Sequence, residues 1–122
     1  TKNASFLGKG ITITKFTGRG GKGGANDASA EFMGAIRKLL SDSNVVFQTA
    51  ELGAVDIGGG GTVAMYFAAR GIDTIDAGPA VLGMHAPKET ISKADLFSTY
   101  QAYKTFLDKF AGEYVKIAKN TN

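Results

Sequence analysis

The 122-residue chain has no cysteine, and that absence excludes several kinds of chemistry. Without thiols there can be no disulfide, no thiolate nucleophile and no cysteine-based zinc site. The absence is compatible with a reducing, cytoplasmic setting. The chain also has one histidine, His85, so it cannot build a histidine-rich metal site by itself.

Long hydrophobic runs, a signal peptide and a strong net charge are missing as well. No apolar run approaches the roughly 20 residues of a membrane span, and no signal-peptide pattern opens the chain. A net charge of +3 is low for a nucleic-acid module. No G-x-S-x-G motif supports a serine hydrolase. Because the chain begins at Thr1 rather than at methionine, and its 17 glycines are clustered, we expect it to be part of something larger.

Strand-like and helix-like segments alternate along the chain, which predicts an α/β fold with a sheet flanked by helices. Strands are predicted at 11–18, 45–52 and 72–78, where β-branched residues are frequent. A first amphipathic helix is predicted by the helical spacing of Phe32, Ile36, Leu39 and Leu40, and it fades at "SDSN" (41–44). One of three polar residues is expected to cap its start: Asn26, Asp27 or Ser29. A second, short helix is predicted at 62–70, closed by Gly71.

The last helix has the most regular pattern. Ser92 and Asp95 form a variant of the capping box. An apolar stripe follows at alternating spacings of four and three: Leu96, Tyr100, Tyr103, Leu107, Phe110, Tyr114 and Ile117. The stripe predicts one continuous helix of about six turns that packs on the sheet. A coiled-coil partner helix is the alternative.

Two glycine-rich loops are candidates for ligand binding. The segment "GRGGKGGAND" (18–27) is not a P-loop, because Lys22 is followed by glycine instead of serine or threonine. It is either a solvated loop or a backbone that approaches a ligand, with Arg19 or Lys22 supplying charge. The segment "IGGGGT" (57–62) is either a plain turn or an anion site at the start of a helix.

Three motifs in order carry a resemblance to a known family. They are the glycine-rich turn that ends in Thr62, the "GMHAP" loop and the "SKAD" segment that opens the last helix. Together with "TKFTGRGGKGGANDASAEF", the segment from "VVFQTAEL" to "YKTFL" resembles the C-terminal part of the aminopeptidase I / aspartyl aminopeptidase family of dinuclear zinc exopeptidases. The resemblance covers nearly the whole chain.

The resemblance implies an aminopeptidase with two zinc ions, bridged by an aspartate and a water, and a glutamate that acts as general base. His85 matches a metal ligand of the family, Lys22 matches a lysine of the substrate-binding loop, and Gly60, Gly61 and Thr62 match a turn beside the substrate. The bridging aspartate and the general base are expected before Thr1. Residues 1–122 are thus expected to be the C-terminal portion of a catalytic domain that is inactive alone.

The family also implies peptide substrates, a homo-oligomeric assembly, expected to be a dodecamer, and no nucleic-acid or membrane partner. Cobalt or manganese could replace zinc. Two other hypotheses remain open: a non-catalytic fragment or interaction module that keeps the fold, and a glycine-loop binder of anions or nucleic acid. The sequence does not indicate which N-terminal residue the enzyme prefers.

Overall fold

The computed structural model describes residues 3–18, 25–51 and 60–119. The elements of this part of the chain are β1 (Ile11–Thr14), β2 (Phe16–Thr17), β3 (Asn26–Asp27), α1 (Ala30–Asp42), β4 (Phe47–Thr49), α2 (Ala64–Ala68), β5 (Asp76–Gly78), β6 (Val81–Leu82), β7 (Thr90–Ile91), α3 (Lys93–Lys109) and α4 (Glu113–Ala118). The predicted α/β class is confirmed. The strands are shorter than predicted: the first is interrupted at Lys15, and only the last three residues of 72–78 pair as a strand.

The central sheet has three strands in the order β4-β1-β5. Strand β1 is parallel to β4 and antiparallel to β5. Because side chains alternate along a strand, Ile11 and Ile13 lie on one face of β1, and Thr12 and Thr14 lie on the other. Pairing with β5 puts Asp76 opposite Thr14, so the second face is polar.

The isoleucine face of β1 forms the centre of the hydrophobic core. Helix α1 packs on this face with its apolar side, as its helical spacing predicted, and α3 contributes Ala102. The buried cluster comprises Ile11, Ile13, Ala28, Phe32, Ile36, Leu40, Val45 and Ala102. Helix α4 packs against α1 in turn. In the part of the chain that the structure describes, no helix is long and apolar enough to cross a membrane.

Local hydrogen bonds confirm the predicted helix ends. Ser29 caps α1 by accepting a hydrogen bond from the Phe32 N–H at 3.2 Å. Gly71, at φ +74°, follows α2 in a Schellman arrangement. Its N–H donates to the Ala68 carbonyl oxygen at 2.9 Å, and the Ile72 N–H donates to the Phe67 carbonyl oxygen at 3.1 Å.

The prediction that the apolar stripe packs on the sheet is wrong for the part that lies on α3, whereas Phe110, which follows α3, packs against the core and contacts the Phe32 ring. Leu96, Tyr100, Tyr103 and Leu107 are all more than half exposed, and Leu107 is 78% exposed. The buried residues of this helix are small or polar instead: Asp95, Ser98 and Ala102.

Hydrogen bonds explain this orientation of α3. The Asp95 carboxylate, 1% exposed, accepts the main-chain N–H groups of Gly8 at 2.7 Å and Gly10 at 2.8 Å. Ser98 donates its hydroxyl to the Val46 carbonyl oxygen and accepts the Ile11 N–H. These bonds hold the polar side of α3 against the start of β1, which turns the aromatic stripe outward. Asp95 therefore does not complete a capping box with Ser92.

The predicted six-turn helix is also divided in two. Helix α3 ends at Lys109, and α4 begins at Glu113 after a turn that contains Gly112. Gly112 has φ −87° and ψ −116°, far from helical values. Glycine in a helix costs about 1 kcal/mol relative to alanine, so it is a favourable place for the break.

Candidate functional site

His85 lies in a tight turn after strand β6. The Ala86 N–H donates to the Gly83 carbonyl oxygen at 2.8 Å, which places His85 at the third position of a four-residue turn. Its φ is +67°, a conformation that usually requires glycine or asparagine. The side chain is exposed, and the His85 N–H donates to the Glu89 carboxylate at 2.5 Å.

The strained conformation distinguishes His85 from the other non-glycine residue with positive φ in the described chain, Asn44. Asn44 follows the last turn of α1, where asparagine with left-handed geometry is ordinary. His85 instead lies at the third position of its turn, and holding a residue other than glycine in that conformation costs on the order of 1–3 kcal/mol. Such strain is concentrated at functional sites, so the geometry favours a role for the imidazole beyond packing.

Thr62 is held by an aspartate that joins it to two other segments. The Asp76 Oδ2 atom accepts the Thr62 hydroxyl at 3.0 Å and the Thr17 hydroxyl at 2.9 Å. Thr17 ends β2, just before the loop that contains Lys22, and Asp76 begins β5, which leads to the His85 turn. The Asp76 carboxylate thus joins Thr62 to the end of β2 and to the start of β5.

The surroundings of the glycine-rich turn do not favour the anion site that was one of its two interpretations from the sequence. Gly60 and Gly61 are exposed, and a Cβ at Gly61 would meet no atom within 4 Å. The helix that follows has five residues, and the Ala64 N–H already donates to the Thr62 hydroxyl at 3.2 Å. A helix of this length has a weak dipole, and its first N–H group is already hydrogen-bonded, so it provides little stabilisation for a bound anion.

A cleft of about 430 Å³ with both polar and apolar lining residues brings Thr62 and the segment before His85 together. Its lining residues come from strands β1, β2, β5 and β6 and from the loops beside them: Ala4, Ser5, Thr12, Thr14, Thr17, Ala50, Glu51, Thr62, Asp76, Ala77, Gly78, Pro79, Ala80, Val81 and Met84. The polar face of β1 therefore borders the cleft. Three residues of the cleft were not predicted from the sequence: Thr12, Thr14 and Asp76. The alternation in "ITIT" nevertheless indicates that the two threonines share a face.

Glu51 lines this cleft two residues after the end of β4. Burial raises the pKa of Glu51, and Asp27 raises it further, while the positive charge of Lys15 opposes the shift. Its N–H donates to the Asn3 carbonyl oxygen at 3.0 Å, which fixes the backbone at the end of the strand.

Two sequence predictions cannot be placed. Lys22 and Arg19 lie outside the described residues. Within the described ranges, no group of three or more histidine, cysteine, aspartate or glutamate side chains is arranged to hold a metal ion. His85 is therefore a single candidate ligand in this structure, and its exposed imidazole has the donor chemistry that zinc prefers.

Comparison with known proteins gives a consistent result. The family model described as aminopeptidase I zinc metalloprotease (M18) matches residues 1–107. A probable M18 family aminopeptidase 1 of Thermotoga maritima is 55% identical over 107 residues, which are 88% of this chain and 24% of the relative. The corresponding protein of Clostridium acetobutylicum is 50% identical over 107 residues, 88% of this chain and 23% of the relative.

Solved structures agree with the sequence matches. The crystal structure of the M18 family aminopeptidase from Thermotoga maritima aligns with a TM-score of 0.81 at 55% identity, over 87% of this chain and 24% of that one. Aminopeptidase I from Clostridium acetobutylicum aligns with a TM-score of 0.79 at 51% identity, over 86% and 23%. The chain thus spans about a quarter of the length of the relatives it matches.

Proposed function

The chain belongs to the M18 family of zinc aminopeptidases, and from this we propose that the whole protein removes N-terminal residues from peptides. The observation that carries the proposal is the family match over residues 1–107, together with 55% identity to an M18 aminopeptidase. We further propose that residues 1–122 form the C-terminal portion of the catalytic domain. The remaining metal ligands and the general base are then contributed by other parts of the protein, and the 122-residue chain alone is inactive.

His85 is the proposed metal ligand of this chain. Support comes from its strained turn and its exposed imidazole. Zinc, when bound, supplies Lewis-acid activation of water and of the peptide carbonyl. The turn holds the imidazole outward from the end of β6, and the Glu89 carboxylate fixes the backbone N–H of the same residue. Two zinc ions per subunit are proposed, with cobalt or manganese as possible replacements.

The substrate-binding role of Gly60, Gly61, Thr62 and Lys22 remains a proposal. For the glycine turn, support comes from its open surroundings, which leave room for a peptide backbone. Thr62 orients the turn because its hydroxyl is held by Asp76. Lys22 would supply positive charge to a carbonyl or carboxylate oxygen of the substrate.

The proposal extends to the assembly and location of the protein. We propose a homo-oligomer, a dodecamer as in the family that the sequence resembles, acting on peptides in the cytoplasm. Sedimentation of the purified whole protein would test the first part, and cell fractionation the second.

Zinc analysis of the whole protein and of His85→Asn tests the metal-binding role. Asparagine tolerates the left-handed conformation, so the turn should survive while the imidazole is lost. We expect the variant to lose one of two zinc ions per subunit and nearly all peptidase activity, with an unchanged thermal midpoint of the metal-free protein. Lys88→Gln, an exposed change in the same loop, should keep both ions. Two zincs and normal turnover in His85→Asn would contradict the assignment.

A further inference from the structure

One oxygen atom of Asp76 holds two threonine hydroxyls. Its Oδ2 atom accepts hydrogen bonds from the Thr17 hydroxyl at 2.9 Å and from the Thr62 hydroxyl at 3.0 Å, and the two hydroxyl oxygens are 3.4 Å apart. A hydroxyl has one proton to donate, so both protons are directed at Asp76. The Thr62 oxygen also accepts a hydrogen bond from the Ala64 N–H at 3.2 Å. The Thr62 side chain is therefore held both by the sheet and by the start of α2.

The main chain of Asp76 is fixed independently of these bonds. Asp76 lies opposite Thr14 in the antiparallel ladder between β5 and β1. Two residues earlier, the Thr74 carbonyl oxygen accepts a hydrogen bond from the Asn26 side-chain amide at 2.9 Å, and Asn26 is only 3% exposed. Groups built on strands hold their partners more precisely than groups on loops do. Asp76 is thus a rigid point to which the segment around Thr62 is attached.

Apolar packing contributes little to the position of that segment. Helix α2, which begins two residues after Thr62, buries one residue, Ala64. The adjoining Val63 is 69% exposed and Tyr66 is 58% exposed. Segments with few buried apolar contacts move more easily than the core does, so hydrogen bonds have a larger share in holding them. The hydrogen bond between Thr62 and Asp76 ties the turn directly to the central sheet.

We propose that Asp76 is a positioning residue for the substrate: as a hydrogen-bond acceptor it acts through Thr62 and sets the position of the glycine-rich turn. The inference rests on the proposed aminopeptidase function, in which Gly60, Gly61 and Thr62 border the peptide. A displacement of about 1 Å at such a contact is enough to weaken substrate binding strongly. Binding then depends on the position of the acceptor oxygen and not on the negative charge of the carboxylate.

Two substitutions separate the position of the acceptor from its charge. Asp76→Asn keeps an oxygen in the same place without the charge, whereas Asp76→Glu keeps the charge and moves the carboxylate outward by one methylene group. We expect KM to rise roughly tenfold or more in Asp76→Glu and less than about threefold in Asp76→Asn, with kcat nearly unchanged in both, because only binding common to the ground and transition states is lost. The measurement uses the zinc-loaded whole protein and whichever of the leucyl, methionyl and aspartyl anilides it cleaves fastest.

A double-mutant cycle assigns the effect to Thr62. Thr62→Val removes the hydroxyl and keeps a side chain of similar shape, and it should raise KM about as much as Asp76→Glu does. Once the hydroxyl is gone, moving the carboxylate has no further consequence for the turn. A protein with both substitutions should therefore have about the same KM as Thr62→Val alone, since two residues that share one interaction are not additive.

Hydrogen exchange of the main-chain amides from 62 to 68 tests the same role without catalysis. The Ala64 amide should exchange faster in Asp76→Glu than in the unchanged protein, because its acceptor, the Thr62 hydroxyl, is no longer held. The zinc content should be the same in both proteins.

Asp42→Glu is the matched control, since it is the same change at another carboxylate with two donors. The Asp42 Oδ2 atom accepts hydrogen bonds from the Lys38 ammonium at 2.9 Å and from the Tyr114 hydroxyl at 2.8 Å. Asp42 ends α1, the helix that packs on the isoleucine face of the sheet. The control should change neither KM nor the exchange of the Ala64 amide.

The outcomes separate this inference from the proposed function. An unchanged KM in Asp76→Glu, an equal rise in Asp76→Asn, or effects of Asp76→Glu and Thr62→Val that multiply would each overturn the positioning role and leave the aminopeptidase intact. Unchanged exchange of the Ala64 amide or loss of zinc in Asp76→Glu would overturn it as well. If Asp76→Glu does not fold, an unchanged KM in Thr62→Val overturns the role. No hydrolysis of any anilide by the zinc-loaded whole protein would refute the aminopeptidase proposal, and the inference with it.

Discussion

Strand β1 carries isoleucines on one face and threonines on the other, and the two faces have different surroundings. Ile11 and Ile13 are each 1% exposed and packed by α1 and α3. Thr12 and Thr14 face a cleft whose other lining groups include two carboxylates. On the isoleucine face, helices α1 and α3 cover both side chains, and a cavity of about 220 Å³ remains beside them. On the polar face the Thr12 hydroxyl has no hydrogen-bond partner among the described residues, whereas buried polar groups of a core are usually paired.

The largest effect on stability is expected on the packed side of the sheet, at Asp95. Asp95→Ala should destabilise the protein by about 3–6 kcal/mol, because two hydrogen bonds to a buried charged group are lost at about 1.5–3 kcal/mol each. The loss of stability in Asp95→Asn should be smaller than that in Asp95→Ala, since the amide oxygen can still accept a hydrogen bond from the N–H of Gly8 or Gly10. Urea denaturation provides the measurement.

A surface aspartate on the same helix provides the control for Asp95. Asp108 pairs with Lys104 on the exposed side of α3, and exposed pairs contribute about 0–1 kcal/mol. Asp108→Ala should therefore change the free energy of unfolding by less than 1 kcal/mol. Equal losses for the two alanine variants would mean that the bonds between α3 and the start of β1 do not hold the fold.

A second, smaller difference is expected between neighbouring positions of β1. Ile13→Ala should cost about 2–5 kcal/mol, as buried isoleucine truncations usually do. Thr14→Ala, on the other face, should cost less than about 1 kcal/mol, within the range of strand propensity alone. Denaturation of both variants under one set of conditions measures the difference directly, and similar losses would show that both faces are packed.

The smallest effect concerns the pH dependence of stability and sharpens the comparison on the cleft side. Because burial raises the pKa of Glu51 above its ordinary value of 4.5, the folded protein binds this proton more tightly than the unfolded chain. The contribution of this tighter proton binding to the free energy of unfolding is therefore fully present below pH 4.5, and it is lost as the pH rises through the pKa of Glu51 in the folded protein. Glutamine does not titrate, so Glu51→Gln should remove this loss. The thermal midpoint of the variant should therefore rise relative to that of the unchanged protein as the pH rises above 4.5. Parallel pH profiles would contradict the buried position of Glu51.

Several features of the fold were predicted from local sequence alone. Ser29 and Gly71 stand at the helix ends that their residue types indicated, and Phe32 and Ile36 pack on the core as their spacing indicated. These predictions succeed because caps and helical periodicity depend on residues within a few positions of one another. The family membership also followed from ordered local motifs, and the match over residues 1–107 confirmed it.

The orientation of α3 was not predictable in this way. Its aromatic stripe has the helical period of a packed face, yet the buried contacts are made by Asp95 and Ser98. Their partners, Gly8, Gly10 and Ile11, lie 85 to 87 residues away along the chain. Hydrophobic spacing gives no information about such distant polar bonds, so the stripe predicted the wrong face.

The features of the candidate site also fall into those that follow from the sequence and those that depend on the tertiary structure. The sequence by itself determined that His85 is the one imidazole, that Thr62 ends a glycine-rich turn, and that the threonines of "ITIT" share a side of their strand. Only the tertiary structure decided that Asp76 joins Thr62 to Thr17, and that Glu51 borders the threonine face across the sheet. The physical reason is that strand alternation is set by the geometry of one peptide segment, whereas a cleft exists only where several segments are packed together and leave space between them.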